Sequence, residues 1–474
     1  MASTAMINTI LGWIPKVALL LIFGGIIPAV WLFFPEVNLW FAIFCTFFIV
    51  RYTRFIGHII GHFMYQPSPI SLNPRYLPSD VTVIVPTIDP NNSDFRECIG
   101  SILANQVASL VVVTVGRELK DDCVRALQAL APYSEGTSIY VSAISRPHKR
   151  RQIGHGMADV HTPITIIADD HDFWGPRFVT SVLAPLEDDQ VAAVATKKRV
   201  RRVSQPCKFS WSSIVNFLAQ NYLERHNWEL RSTLDGGITA ASGTSVYRSE
   251  FLNDFELMAK FCNESFFFGV FGKEGLDVGC DHFLARHVLA KGLKIKFQDT
   301  EDATVETTLG EWPRFNGQLL HWARTTFRSS PTMLMKPRIW ANYTWSTGMI
   351  YLASITNFAI IWDTLLIASL VMSLKADESK LAFLSVGWLV LFVLYLITTK
   401  LWKIIPALLR TPSDCALIPI QIVFAYIHSF YKLWALLTFW NCDWSGRNLD
   451  EINAAENGQA GIVLDDLATV EVLV

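Results

Sequence analysis

Apolar and polar positions along this chain follow three successive patterns. Val17 to Phe34 (VALLLIFGGIIPAVWLFF) is a continuous apolar run, and a second, VNLWFAIFCTFFIV, follows directly after Pro35-Glu36. The second reaches spanning length by continuing past Val50, with Arg51 and Arg54 snorkelling toward the interface. No small-residue cleavage pattern separates the runs, so two retained spans are expected over residues 1–60 rather than a signal peptide. From Ser79 to about Lys336 the pattern shifts to short β-branched runs: VTVIVP from Val81, LVVVTV from Leu110, SIYVSAI from Ser138, PITIIA from Pro163 and VAAVAT from Val191. Helical stretches such as Phe95 to Gln106 lie between them. That alternation predicts a doubly wound, mostly parallel α/β sheet, whose ligands sit at the carboxyl ends of its strands.

Beyond Pro337 the chain is apolar again, and Tyr343 to Leu374, Leu381 to Thr399 and Leu417 to Trp440 are each long enough to span. Leu401 to Ser413, with Lys403 and Arg410, reads as interfacial. The expected organisation is a membrane hairpin (1–60), an α/β domain (79–336) with interface helices near 209–228 and 314–330, a C-terminal bundle (337–440) and a final segment (441–474). After Arg447 there are six acidic residues and no Lys or Arg, the composition of a poorly ordered tail. Two spans before the domain and three after it place the two ends of the α/β domain's flanks out of register with a cytosolic C-terminus. Either a further crossing or re-entrant segment lies within Tyr343 to Ser413, which is the expectation, or Trp444 to Arg447 do not reach the cytosolic side.

Composition agrees with a soluble domain set between membrane segments. Of the 474 residues 51% are hydrophobic, and the mean hydropathy is +0.30. A formal net charge of −2 offers nothing to a nucleic acid. Eight cysteines show no CxxC pair and no His at zinc-ligand spacing, which excludes a disulfide framework and a structural zinc. Arg51, Arg54 and the basic stretches after them place the domain on the cytosolic side by the positive-inside tendency.

The richest chemistry lies in PITIIADDHDFW, where an apolar strand runs into Asp169, Asp170, His171 and Asp172. Three carboxylates in four residues repel one another unless a cation sits among them, and hard oxygen ligands suit Mg2+ or Mn2+. The alternative is an acidic turn capping the next helix. Asp281, at the start of a helix burying Phe283, Leu284, Val288 and Leu289, is either a helix cap or a general base. Gln318, His321, Trp322 and Thr325 share one helix face, with Arg324 and Arg328 nearby, so the strip either lines a site or lies at the membrane interface. Two basic runs, His148 to Gln152 and Thr196 to Arg202, are solvated faces or partners for a diphosphate or a sugar carboxylate. For the second role the candidates are Lys197, Lys198 and Arg199.

In this order the motifs resemble the membrane-integrated family 2 glycosyltransferases, the group of hyaluronan, cellulose and chitin synthases, and most nearly the hyaluronan-synthase-like and fungal polysaccharide-synthase branch. The resemblance runs from about Val81 to Arg447. It implies a GT-A-like domain between transmembrane helices and several motif roles. The β1 motif VTVIVPTIDP puts Pro86, Thr87 and Asp89 at the nucleotide, and a Lys-Arg pair, Lys149 and Arg150, at the diphosphate. A DxD motif within Asp169 to Asp172 holds the metal, with Asp170 common to the D-x-D and D-D-H registers. Ser242 and Gly243, followed by Tyr247 and Arg248, resemble an acceptor-site motif, and Gly279-Cys280-Asp281 the motif of the catalytic base. Gln318 to Trp322 resembles QxxRW, and Trp444 to Arg447 a gating segment, together contacting diphosphate and acceptor through Gln318, His321, Trp322, Trp444 and Arg447. His321 stands where the family has Arg, a contact that Arg324 can supply. Thr114 stands where relatives put an Asp against the uracil ring.

The implied activity is processive, inverting transfer from UDP-sugars to a growing polysaccharide, at a plasma membrane with the catalytic face cytosolic. Lys197 to Arg199 lean the donor toward UDP-glucuronate and the product toward a glucuronan or hyaluronan. Loading of a single sugar onto a lipid phosphate, and a catalytically degenerate scaffold or transporter subunit, are the two alternatives.

Overall fold

The computed structural model describes residues 38–130, 136–202, 209–238, 243–266, 270, 276–309, 312–376, 382–442 and 471–473. The first apolar run, Ser242 and the Trp444 to Arg447 segment lie outside the described residues. The chain divides into two compact units, one comprising Gln66–Val203, Ile238–His321 and Trp440–Val474, the other Met1–Tyr65, Ser204–Gly237 and Trp322–Phe439.

The first unit is built on a mixed sheet. Its strands are β1 (Val81–Pro86), β2 (Ser109–Val115), β3 (Ser138–Ile144), β4 (Ile164–Ile167), β5 (Asp172–Trp174), β6 (Val191–Val200), β7 (Ser245–Arg248), β8 (Lys294–Gln298), β9 (Thr304–Thr307) and β10 (Glu471–Leu473). They run in the order β10-β3-β2-β1-β4-β7-β6-β9-β5, with β8 also on β6. The expected parallel sheet is present as β3-β2-β1-β4. Beyond β4 the sheet turns mixed, because β7 is antiparallel to both β4 and β6. Every residue of β1, β2 and β4 is buried. Layers on both faces explain why these strands read as unbroken apolar runs rather than alternating ones.

β6 continues four residues past the apolar VAAVAT, so Lys197, Lys198, Arg199 and Val200 pair with Thr304 to Thr307 of β9. The second basic run is therefore strand, not a loop at a strand end. The first begins the Lys149–Gly156 helix, which His148 caps by accepting from the amide of Arg151. One turn in, the buried Gln152 donates from Nε2 to the carbonyls of Thr87 at 3.0 Å and Val113 at 2.8 Å. This one amide fastens the carboxyl ends of β1 and β2 to the helix that follows β3.

In the second unit, three helices among the described residues are long and apolar enough to cross a membrane: Leu39–Met64, Val386–Arg410 and Pro412–Leu437. A fourth candidate is broken, since Thr344–Thr356 and Ala359–Lys375 meet at 85°. The break falls within the Tyr343 to Leu374 stretch counted above as one span. Outward-facing Phe63, Val386, Trp388, Leu391, Leu409 and Trp434 are exposed, as hydrocarbon contact requires. Inside, Tyr52, Leu366 and Leu396 form a buried cluster with Phe44, Phe48 and Phe392 around it. The two cations that made Leu401 to Ser413 look interfacial are engaged elsewhere: Lys403 and Arg410 form ion pairs with Glu229 and Glu224 of the Trp211–Arg231 helix.

Replacing Gln152 by Ala leaves two buried carbonyls without donors, each costing about 1–3 kcal/mol. The Gln152→Ala protein is expected to unfold several degrees below wild type, measured by thermal melting in detergent.

Candidate active site

The tip of β4 is where the acidic residues gather, and each is given a different partner. Lys149 Nζ donates to Asp169 Oδ1. Thr87 Oγ1 donates to Asp170 Oδ2 at 2.7 Å, and the other oxygen of Asp170 lies 2.9 Å from His171 Nδ1. Asp172 opens β5 and has no exposed surface. Its Oδ2 accepts from the amide of Thr244 at 2.9 Å and from Thr244 Oγ1 at 2.8 Å, with Lys198 Nζ 3.9 Å away. Burial raises the carboxyl of Asp169, but the charge of Lys149, then those of His171 and Lys198, outweigh it and hold it well below the usual range. For His171, burial favours the neutral ring, and the hydrogen bond and charge of Asp170 overcome it and raise the imidazole.

Asp169 and Asp170 are partly exposed, their side chains 17% and 23% accessible. They are the oxygens that fit a hard divalent cation. Asp172 does not fit the same role, because its one unbonded oxygen is buried and the other holds Thr244. Among the described residues no group of three His, Cys, Asp or Glu converges as a ready metal cage.

Gly243 has φ +96°, and a Cβ there would meet Lys198 Nζ at 1.7 Å and Asp172 Oδ2 at 2.8 Å. Only glycine lets this turn pass so close to the Lys198 and Asp172 side chains. Tyr247 and Arg248, the other members of the acceptor-like motif, are structural: Tyr247 is fully buried in β7, and Arg248 donates to the carbonyls of Val191 and Leu186 and to Tyr76 Oη.

Arg150 departs from the expected diphosphate contact. Its guanidinium is 1% exposed, donating to Glu264 Oε2 at 2.7 Å and to the carbonyls of Phe261 at 3.0 Å and Val278 at 2.5 Å. It also lies over the rings of Phe261 and Phe283. The same loop is gripped a second time, because the amide of Lys149 donates to Asp277 Oδ1. Next comes Gly279 in the left-handed region at φ 68°, and then the Cys280–Ala290 helix with Asp281 in its first turn. Asp281 is partly exposed and makes no hydrogen bond or ion pair among the described residues.

The three cations assigned to a sugar carboxylate are also taken internally. Lys197 lies 2.8 Å from Asp299, Lys198 faces Asp172, and Arg199 forms a two-pronged pair with Glu301. Thr114 is buried on β2, turned to the Cys123 thiol. Asp89 is exposed just past β1, its amide donating to Thr87 Oγ1. The Arg314–Leu334 helix carries Gln318, His321, Trp322 and Arg324, and the division between the two units falls between His321 and Trp322. Gln318 is buried with Oε1 unbonded, Trp322 stacks on Tyr222 at 4.9 Å, and Arg324 donates to Thr438 Oγ1. Sequence reading did not single out Thr244, Glu264 or Asp277, which lie far along the chain from the residues they hold.

The glycosyltransferase-like family 2 profile matches residues 78–338, which is more than half of the chain. The chain belongs to glycosyltransferase family 2. It is similar to a type 2 glycosyltransferase of Pyricularia oryzae, 32% identical over 86% of this chain and 82% of that protein. A type 2 glycosyltransferase of Gibberella zeae is 33% identical over 91% of this chain and 81% of its own length. A shorter match, 28% identical over 56% of this chain and 64% of the relative, is to the NDP-glycosyltransferase ltbB of Aspergillus luteorubrus. The sheet described above is accordingly the GT-A-like sheet of a family 2 glycosyltransferase. The further likeness to hyaluronan synthases is not among these matches.

Two roles for Arg150 separate by experiment. As a clamp on the loop before Asp281, its replacement by Lys breaks a buried multi-point contact, and about 3 kcal/mol of stability and a large part of kcat are expected to go together. A diphosphate contact would instead raise KM for the donor and leave the melting temperature unchanged.

Proposed function

We propose that this glycosyltransferase is a processive, inverting synthase that transfers sugar from a UDP-sugar to a polysaccharide and passes the polymer across the membrane, with its α/β domain cytosolic. The observation that carries the chemistry is Asp281: a carboxylate left unpaired in the first turn of a helix whose preceding loop is held by Arg150 and Asp277. A base must be oriented yet free to take a proton, and this arrangement meets both needs.

In this reading Asp281 accepts the proton of the acceptor hydroxyl as its oxygen attacks the anomeric carbon. Asp169 and Asp170 hold the divalent cation, Mg2+ or Mn2+, which when bound offsets the charge of the departing diphosphate. Lys149 supplies a cation at the same strand end, already beside Asp169. Asp172 positions the Gly243-Thr244 turn for the acceptor, and Thr87 orients Asp170. With Thr114 buried, base recognition passes to groups past β1 such as Asp89.

The charge argument for a uronic acid donor weakens because Lys197, Lys198 and Arg199 already face carboxylates. We therefore assign a neutral donor, UDP-glucose or UDP-N-acetylglucosamine. Incubating purified enzyme with each radiolabelled UDP-sugar, singly and in pairs, tests this; incorporation that requires UDP-glucuronate overturns it. Product length on a gel separates polymerisation from single-sugar loading.

Replacing Asp281 by Asn is expected to lower the transfer rate by about 10²–10⁴-fold while UDP binding, followed by calorimetry, stays near the wild-type value. Turnover retained in Asp281→Asn would remove the residue from the reaction.

A further inference from the structure

Charges inside the membrane unit do not cancel. Its N-terminal helix brings Arg51 and Arg54, the Trp211–Arg231 helix brings Arg225 and Glu229, and the C-terminal helices bring Asp363, Lys400, Lys403 and Lys432. Lys400 pairs with Asp363, which also accepts from Tyr426 Oη at 3.1 Å. Glu229 takes both Arg54 at 3.0 Å and Lys403 at 3.2 Å. The remaining cations have no carboxylate of their own. Arg51 reaches the amide oxygen of Asn357 at 2.5 Å, and Lys432 donates to the carbonyls of Ser354 at 2.7 Å and Asn357 at 3.1 Å. Among the described residues Arg225 makes no hydrogen bond and no ion pair; its surroundings are the charges of Glu229 and Arg54, with Arg51, Lys400, Lys403 and Lys432 also within electrostatic reach. Among the described residues, six cations thus meet two carboxylates. Neighbouring Glu224 does not relieve them, because Arg410 occupies it.

Uncompensated charge in an apolar slab costs several kcal/mol per ion. An anion among the cations would offset that cost. The site also has walls. Tyr222 lies one turn before Arg225 on the same face, stacked on Trp322 and edge-on to His428 at 5.8 Å. His428 in turn lies one turn before Lys432. A planar guanidinium with no protein partner suits two oxygens of a phosphate, and an ammonium beside it supplies a third contact.

We propose that Arg225, with Lys432 and Arg54 around it, forms a binding site within the membrane unit for the phosphomonoester headgroup of a membrane lipid. The lipid source follows from the setting: Arg54 and Lys432 lie on two of the helices long and apolar enough to cross a membrane, and those helices carry exposed apolar side chains such as Phe63 and Trp434. The site does not depend on which sugar the enzyme transfers or on how long its product is.

Thermal unfolding of the full chain in dodecyl maltoside micelles tests the proposal, with dioleoyl phosphatidic acid, dioleoyl phosphatidylcholine or inorganic phosphate added. Phosphatidic acid is expected to raise the midpoint by about 5 °C, with no shift from phosphatidylcholine or inorganic phosphate. Arg225→Gln is expected to melt no lower than wild type without lipid, since burial of the charge and repulsion by Arg54 oppose the attraction of Glu229, and to lose the phosphatidic acid shift; Arg225→Lys retains part of it. An undiminished shift in Arg225→Gln overturns the site. A lipid-free melting point well below wild type overturns it too, by giving the guanidinium a protein partner. An equal shift with inorganic phosphate overturns the lipid assignment in favour of a soluble anion.

Discussion

Three carboxylates within four residues can stay ionised at a strand end only if each has a separate source of positive potential, and much of the α/β unit's geometry follows from meeting that requirement. Lys149 serves Asp169, the Thr87 hydroxyl and His171 serve Asp170, and Thr244 with Lys198 serves Asp172. These partners come from a helix start, the end of β1, the turn before β7 and the far end of β6. The acidic tip of β4 is therefore the point on which four otherwise separate segments converge, and it divides labour among its own members. The two outer-facing carboxylates keep exposed oxygens, while the buried one holds backbone.

The Lys149-Arg150 pair shows how adjacent residues serve opposite ends of the site. At the start of a helix successive side chains diverge by about 100°, so Lys149 turns to Asp169 while Arg150 turns inward to Glu264 and the carbonyl of Val278. The helix start also directs its amide at Asp277, a favourable place for a carboxylate because unpaired amides and the helix dipole both point there. The position of Asp281, the base proposed above, is thus tied to the position of Asp169 through a single turn of helix. Rigid coupling of this kind is what near-attack geometry asks for.

What the sequence makes legible follows the range of the interactions involved. β1 to β4 announce themselves because strands covered on both faces are apolar at most positions, and the Asp cluster is visible because it ends one of them. β6 runs past its apolar stretch because Asp299 and Glu301, about a hundred residues later, neutralise Lys197 and Arg199; nothing local signals that. Four-residue β7 is too short to show a period, and with it goes the antiparallel turn that makes the sheet mixed. Side chains that look like ligands by type, Arg150 and Lys197 to Arg199, prove to be spoken for by residues of their own unit. Asp281 looks like an ordinary helix cap by type and, among the described residues, makes no hydrogen bond or ion pair.

The same criterion applies to the membrane unit, with the sign reversed. Hydropathy identifies its helices from their averages and passes over single charges, so Asp363 in AIIWDTLL and Lys432 in YKLW leave no mark on that reading. Once folded, those isolated charges meet, and they meet with cations in surplus. A carboxylate surplus at β4 is tolerable at a partly exposed rim where a metal and water can reach it. A cation surplus within an apolar slab has no such recourse, because solvent cannot screen it there. The compensating charge has to arrive on a molecule that itself partitions into the membrane, and a phosphate on an acyl chain satisfies both conditions at once.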